Sequence, residues 1–247
     1  HKYIKMSIET YDIHILLEEP DFAIIDKPAG LLVHKTPSGK QHEFALTDWV
    51  AKKYPETKSV GDDSKIRPGI VHRLDKETSG VMVIARTQKF FEYFKVLLQT
   101  GRVMKTYLAL VHGEIAKPQT INVPIGLISG KIKRSTRAKK MKMVKEAVTE
   151  IEPIQLFEVR TEQYTLLRVY PKTGRTHQIR VHLASIGRPI VADKLYGGKN
   201  RESFGLDRHF LHASSLEFSA SDGRRIKLES ELPDDLQKVV KQVLSSP

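Results

Sequence analysis

The chain has no cysteine in 247 residues. That absence rules out disulfide staples and thiolate metal sites, and it fits a reducing compartment such as the cytoplasm. Long apolar runs are missing as well. Nothing approaches the roughly 20 residues needed to cross a bilayer, and no signal pattern stands at the N-terminus. No internal repeat and no low-complexity linker breaks the chain. Acidic residues are scarce beside basic ones, 29 Asp and Glu against 41 Lys and Arg, for a net charge of +12. Such an excess suits a polyanion, because each neutralised phosphate releases condensed counterions. An anionic membrane surface is the rival partner, but no strongly amphipathic basic helix with aromatic anchors stands out.

What is present reads as an α+β chain of one large domain or two lobes. Ile13–Leu17 and Phe22–Asp26 have strand character and flank a turn at Glu19-Pro20-Asp21. Lys27-Pro28-Ala29-Gly30 forms the next turn, with one fixed and one free φ. Phe44–Lys53 predicts a short helix with Leu46, Trp49 and Val50 inward. Lys89–Gln99 predicts a second helix, with Phe90, Phe94, Leu97 and Leu98 at helical spacing and Gly101 beyond its end. Thr106–Val111 and Tyr164–Tyr170 alternate as strands. After them Ile179, Leu183 and Ile186 recur helically, with Thr176 as N-cap, Gly187 as terminator, and His177 and Arg180 sharing a face. Leu232, Leu236, Val239, Val240, Val243 and Leu244 form one stripe, with Asp234 and Asp235 in the first turn. Strands interleaved with few helices imply a large, mostly antiparallel mixed sheet.

Two segments carry more information than these elements. His72-Arg73-Leu74-Asp75-Lys76-Glu77-Thr78-Ser79-Gly80 places a carboxylate close behind two basic side chains. It lies between Gly69-Ile70-Val71 and Val81-Met82-Val83-Ile84-Ala85, both read as buried strands. Asp, Thr, Ser and Gly are ordinary turn residues, so spacing alone permits a purely structural turn. Residues 131–145 hold eight Lys or Arg and no acid. That run is either a solvated loop or a basic hairpin that grips a phosphate backbone, through Lys133, Arg134, Arg137, Lys139 and Lys140.

The wording and order of four segments resemble the RluA-type pseudouridine synthase family. They are Asp26-Lys27-Pro28-Ala29-Gly30-Leu31-Leu32-Val33-His34, the His72–Gly80 segment, Lys105-Thr106-Tyr107-Leu108-Ala109-Leu110-Val111-His112-Gly113, and Gly174-Arg175-Thr176-His177-Gln178-Ile179-Arg180-Val181-His182-Leu183. The resemblance runs from about Ile13 to Leu232. It implies the pseudouridine synthase fold, two lobes with a central catalytic cleft, over residues 13–247. Residues 1–12 are then an extension or linker remnant, and 131–145 a basic insertion. It further implies that Asp75 is the essential carboxylate, that Tyr107 stacks on the target base and handles a proton, and that Arg180 pairs with Asp75. Arg73 helps displace the target nucleotide, and His72, Arg175 and His177 join the basic residues at RNA.

The implied reaction converts uridine in RNA to its C-glycoside isomer without metal or organic cofactor. A carboxylate can act as nucleophile or electrostatic stabiliser at the ribose, and a neighbouring arginine keeps it ionised. A tyrosine offers uracil a flat face and a hydroxyl. The target base must also leave its stack, which costs a few kcal/mol that cationic contacts offset. Taken singly, Tyr107 reads as a buried strand tyrosine and Arg180 as a surface ion pair; their coincidence with the Asp75 segment favours the catalytic reading. His72, His177 and His182 are too scattered, and lack the carboxylates, for a zinc site. The large-subunit rRNA branch is the nearest in wording, with tRNA modification and a non-catalytic RNA binder as alternatives. A cytoplasmic monomer is expected. Two departures from the family stand out. Ala192 replaces a glycine common before Asp193 in Val191–Gly197, and the N-terminal S4-type RNA-binding module of many relatives is not in the sequence.

Overall fold

The structure, a computed structural model, describes residues 11–35, 43–128, 133–137, 141–198 and 201–245. The chain forms two compact units, His1–Met104 with Ser215–Ser230, and Lys105–Ser214 with Glu231–Pro247.

In the first unit, strands β1 (His14–Glu18), β2 (Phe22–Lys27) and β3 (Ser79–Ala85) form an antiparallel ladder. β2 and β3 are buried at nearly every position because both faces are covered, so neither shows the alternation of a half-exposed strand. Helix α1 (Leu46–Lys53) buries Leu46, Thr47 and Val50. Trp49, expected inward, is only half-buried. A 3₁₀ turn at Pro55–Ser59 follows.

Helix α2 (Gln88–Gln99) starts where the Thr87 hydroxyl accepts the Phe90 amide. It sets Phe90, Phe91, Phe94 and Leu97 against Phe22, Ile24, Val81 and Val83. Phe22 stacks on Phe90 with centroids 4.4 Å apart. Gly69-Ile70-Val71 is not a strand. Gly69 turns with φ +68°, and Ile70 makes an isolated bridge to Ile84. A Cβ on Gly69 would lie 2.6 Å from the Ala85 carbonyl, so only glycine permits this approach.

The second unit holds β4 (Met104–His112, all but its first residue), β5 (Gln119–Asn122), β9 (Val148–Val159) and β10 (Glu162–Pro171). Their order is β4-β10-β9-β5, and each ladder is antiparallel. A smaller antiparallel sheet has β6 (Ile125–Ile128) between β7 (Arg134–Ser135) and β8 (Met141–Lys145). The basic run is therefore a hairpin-like sheet as far as it is described; Lys139 and Lys140 lie outside the described residues.

Helices α3 (Gln178–Ser185) and α4 (Asp234–Leu244) complete this unit. Leu236, Val239 and Val243 of α4 join a core with Ala109, Leu110, Leu167, Val169, Ile179 and Leu183. Arg208 clamps the first turn of α4 through Asp235, Nε to Oδ2 at 2.6 Å and Nη2 to Oδ1 at 2.9 Å. β11 (Leu211–Ser219) begins in the second unit and ends in the first, where it pairs antiparallel with β12 (Arg225–Glu229). The α+β class and antiparallel pairing expected from the strand pattern are observed.

Candidate active site

Asp75 sits in a half-buried loop that leads into β3, so one of its expected flanking strands is absent. The Thr78 amide donates to the Asp75 carbonyl at 3.1 Å and closes the turn. The next carbonyl, of Lys76, is held by two donors from the turn after β2. These are the Gly30 amide at 2.9 Å and the Lys27 ammonium at 3.1 Å. Lys27 is fully buried and also donates to the Pro28 and Leu31 carbonyls, at 2.8 and 2.9 Å. A buried ammonium is costly unless acceptors surround it, and here the acceptors are the two loops themselves. Lys27 thus ties the Pro28–Leu31 loop to the backbone beside Asp75.

Arg73 projects to the surface, whereas its neighbours are engaged in the fold. His72 Nε2 accepts the Val83 amide at 2.9 Å, and its ring lies 6.0 Å from that of Phe94. His34 is buried, and its Nδ1 has no hydrogen-bond partner among the described residues. Burial, with the charges of Arg73 and Arg67 behind it, lowers its pKa to about 4, so it stays neutral near neutral pH.

The expected residues of the second unit gather around α3. The helix is not capped by Thr176. Its N-cap is His177, in the left-handed region at φ +56° and without a side-chain cap. Gln178 supplies what a cap lacks locally. Its Oε1 accepts the Thr173 hydroxyl at 2.7 Å and the Arg175 amide at 3.0 Å, and its Nε2 donates to Val148 O at 2.9 Å and Thr149 Oγ1 at 3.0 Å. Two residues on, Arg180 is 8% exposed. Asp193 grips it bidentately, Nε to Oδ2 at 2.7 Å and Nη2 to Oδ1 at 2.9 Å.

Asp193 Oδ1 also accepts the Leu195 and Tyr196 amides, at 2.9 and 3.0 Å. Burial raises the pKa of Asp193, but the Arg180 hydrogen bonds and charge, with His209 and the Tyr196 amide, outweigh it and hold the carboxyl below its ordinary range. Tyr196 is a hub that the sequence did not single out. Arg180 lies 5.2 Å from its ring centroid and Lys133 5.3 Å. Its hydroxyl is 3.0 Å from His177 Nδ1 and accepts the Arg134 amide at 2.9 Å. Ile125, Ala147, Val181 and Tyr196 pack together, so the basic sheet is rooted on the helix that carries Arg180.

The structure therefore brings Arg180, His177, Lys133 and Arg134 to one tyrosine. Arg175 reaches the base of the sheet, where its Nε donates to the Glu146 carbonyl at 2.9 Å, and Arg137 is exposed. Tyr107 is half-buried on β4, paired in register with Val169. Lys105, two residues earlier, shares its face of the strand, and burial lowers its ammonium pKa. Asp75, Arg73 and His72 belong to the first unit, and the other expected site residues to the second. Among the described residues no cluster of His, Asp and Glu has the makeup of a metal site.

Comparison with known proteins gives this arrangement a family. The sequence pattern of the family described as RNA pseudouridylate synthase matches residues 21–185. Two curated relatives are named ribosomal large subunit pseudouridine synthase D. The one from Pseudomonas aeruginosa is 36% identical over 236 residues, covering 91% of this chain and 69% of its own. The one from Nitrosomonas europaea is 37% identical over 246 residues, covering 97% of this chain and 67% of its own. The chain thus spans about two thirds of their length. A solved structure of human RNA pseudouridylate synthase domain containing 4 superposes with a TM-score of 0.71 at 25% identity, covering 94% of this chain and 93% of that one. Human RNA pseudouridylate synthase domain containing 1 shares the fold, with a TM-score of 0.70 at 21% identity over 96% of both chains. The chain belongs to the RNA pseudouridylate synthase family, in its RluA-type branch, and is an RNA pseudouridine synthase, an isomerase.

Proposed function

We propose that this chain isomerises uridine to pseudouridine in large-subunit ribosomal RNA, with Asp75 as the reacting carboxylate. The observation that carries the residue assignment is the pinned turn, in which a buried ammonium and a glycine amide fix the backbone immediately after Asp75. A reacting group is best presented from a segment whose geometry is set before substrate arrives. The choice of RNA rests on the names of the relatives from Pseudomonas and Nitrosomonas.

In the reaction the N1–C1′ bond of the target uridine breaks and a C5–C1′ bond forms. The proton displaced from C5 leaves, and N1 ends protonated. Asp75 serves the ribose as nucleophile or counter-charge, and its ionised form is the useful one. Tyr107 supplies the ring face for uracil and the hydroxyl for the proton at C5. Arg180 supplies a cation for the reaction, and the Asp193 grip fixes its orientation. Arg73, Arg175, His177 and the cations of the basic sheet hold the RNA backbone. The protein works on RNA as a cytoplasmic monomer, without cofactor.

The test uses unmodified large-subunit rRNA and tRNA transcripts, with pseudouridine detected by mass spectrometry. Product in rRNA, absent for Asp75→Ala, is the expected result. Product confined to tRNA overturns the choice of RNA. Salt-dependent binding without product in either RNA marks a binder on this scaffold.

A further inference from the structure

The edge strand of the basic sheet is built in a way that phosphate binding does not require. All of β8 after Met141 is exposed, and two adjacent apolar residues stand out on it, Met143 at 71% and Val144 at 51% exposure. Isolated exposed apolar side chains are ordinary, but this pair sits on a backbone irregularity. Between the pairs Ile125↔Lys145 and Leu127↔Lys142, β6 advances two residues and β8 three. The extra residue is a bulge, and Met143 within it has φ +52°, a conformation unfavourable for a side chain that size.

Gly126, opposite the bulge, makes the construction possible. A Cβ there would lie 2.7 Å from Met141 Cβ and 3.1 Å from the Lys142 carbonyl. Bulges re-aim side chains, and a strained residue that persists at an exposed edge is a sign of use. The surroundings identify the partner. The described strands of this sheet and the residues beside them carry Lys133, Arg134, Arg137, Lys142 and Lys145 against one acid, Glu146. A second copy docking edge to edge would set these cations against one another, whereas RNA offers phosphates for the lysines and base faces for the apolar pair.

We propose that Met143, with Val144, is an RNA wedge: the two side chains pack against an unstacked nucleobase or an opened base step while Lys142 and Lys145 hold the flanking phosphates. Methionine is suited to this, since its unbranched thioether adapts to a flat face, and apolar wedges between bases are a known means of opening a stack. The root of the sheet on Val181 and Tyr196 fixes the wedge relative to the Arg180 helix. The proposal rests on the RNA-modifying reading and adds to it a side chain that acts on base stacking.

Met143→Gly isolates the side chain, because glycine accepts the left-handed backbone and relieves strain. The probe is a stem-loop RNA with 2-aminopurine in the loop, whose fluorescence rises on unstacking. Alongside it, pseudouridine formation in large-subunit rRNA and the sedimentation coefficient are measured. Met143→Gly combined with Val144→Ser is expected to bind the stem-loop about tenfold more weakly, equal to about 1.4 kcal/mol. It loses most of the fluorescence rise, keeps the wild-type slope of log Kd against log salt, and melts no lower than wild type. Lys142→Ala with Lys145→Ala is expected instead to lower that slope by about 2. Unchanged binding and fluorescence in the apolar double variant would overturn the proposal. So would a wild-type dimer that the variant abolishes while RNA binding stays intact. If the wild type makes no pseudouridine, the reading of the reaction fails, but binding and fluorescence still decide the wedge.

Discussion

Lys27 and Arg180 are both buried cations beside expected site segments, and the fold holds them in opposite ways. Lys27 is surrounded by three main-chain carbonyls, those of Pro28, Leu31 and Lys76. Arg180 is gripped by a carboxylate and covered by the ring of Tyr196. The carbonyl cradle joins two loops through main-chain acceptors, which do not titrate. The carboxylate grip orients a planar guanidinium and depends on Asp193 being ionised. The first arrangement fixes backbone around Asp75; the second aims a side chain.

The largest loss is expected at Lys27. Lys27→Met takes the ammonium away from the Pro28, Leu31 and Lys76 carbonyls, of which the last keeps the Gly30 amide, at a cost of about 4 kcal/mol. Urea unfolding is expected to show that loss, and pseudouridine formation to fall with it as the Asp75 turn loosens. Asp193→Asn is next, at about 3 kcal/mol, because it takes the carboxylate charge out of the bidentate grip on the buried Arg180.

Asp193→Asn also has a signature in pH. The folded pKa of Asp193 is below the unfolded value of about 3.9, so its stabilisation is complete above that value and lost as pH falls through the depressed one. His34 and His112, each lowered to about 4, act in a higher window. Both are neutral in the fold, so stability declines as pH drops from about 6.5 to about 4, where the unfolded chain takes up the protons. Unfolding measured from about pH 3 to about pH 7 should show both declines in the wild type and a smaller lower one in Asp193→Asn, where the lowered carboxyls of Glu56 and Asp222 remain.

Two smaller changes refine the Arg180 side. Gly197→Ala would place a Cβ 2.5 Å from the Asp193 carbonyl and should cost about 2 kcal/mol by displacing the loop that carries the grip. Ala192 has φ +59°, the conformation that the usual glycine of the family would adopt without strain. Ala192→Gly is therefore expected to stabilise by about 1 kcal/mol, read as a rise in melting temperature with activity retained.

The elements that sequence patterns announced are those whose signals are local. Phe90, Phe94 and Leu97 set out α2, Leu236, Val239 and Val243 set out α4, and the run of apolar residues from Val81 marked β3. The misreadings have non-local causes. Gly69-Ile70-Val71 has a strand's composition, yet a close approach to Ala85 bends it. Thr176 has the chemistry of a cap, but Tyr196, distant in sequence, meets His177 at that position, and Gln178 takes up the neighbouring loops.

The same holds at the site. Asp75, Tyr107 and Arg180 were legible because their segments resemble a family. Asp193 and Tyr196 were visible only as part of a turn with an unusual alanine. Their tie to Arg180 is made by side chains 13 and 16 residues away, which no periodicity encodes. An aspartate followed by a Leu-Tyr-Gly turn, whose amides it can accept, was the one local signal available.

The most direct measurement is single-turnover pseudouridine formation in unmodified large-subunit rRNA by wild type and Asp75→Asn. Asparagine keeps the size of the side chain and the main-chain bonds through Thr78 and Lys27, so only the carboxylate charge is removed. The account predicts product with the wild type and a loss of at least about 10³-fold in the variant at unchanged melting temperature. A variant that forms product within a few-fold of the wild-type rate contradicts it.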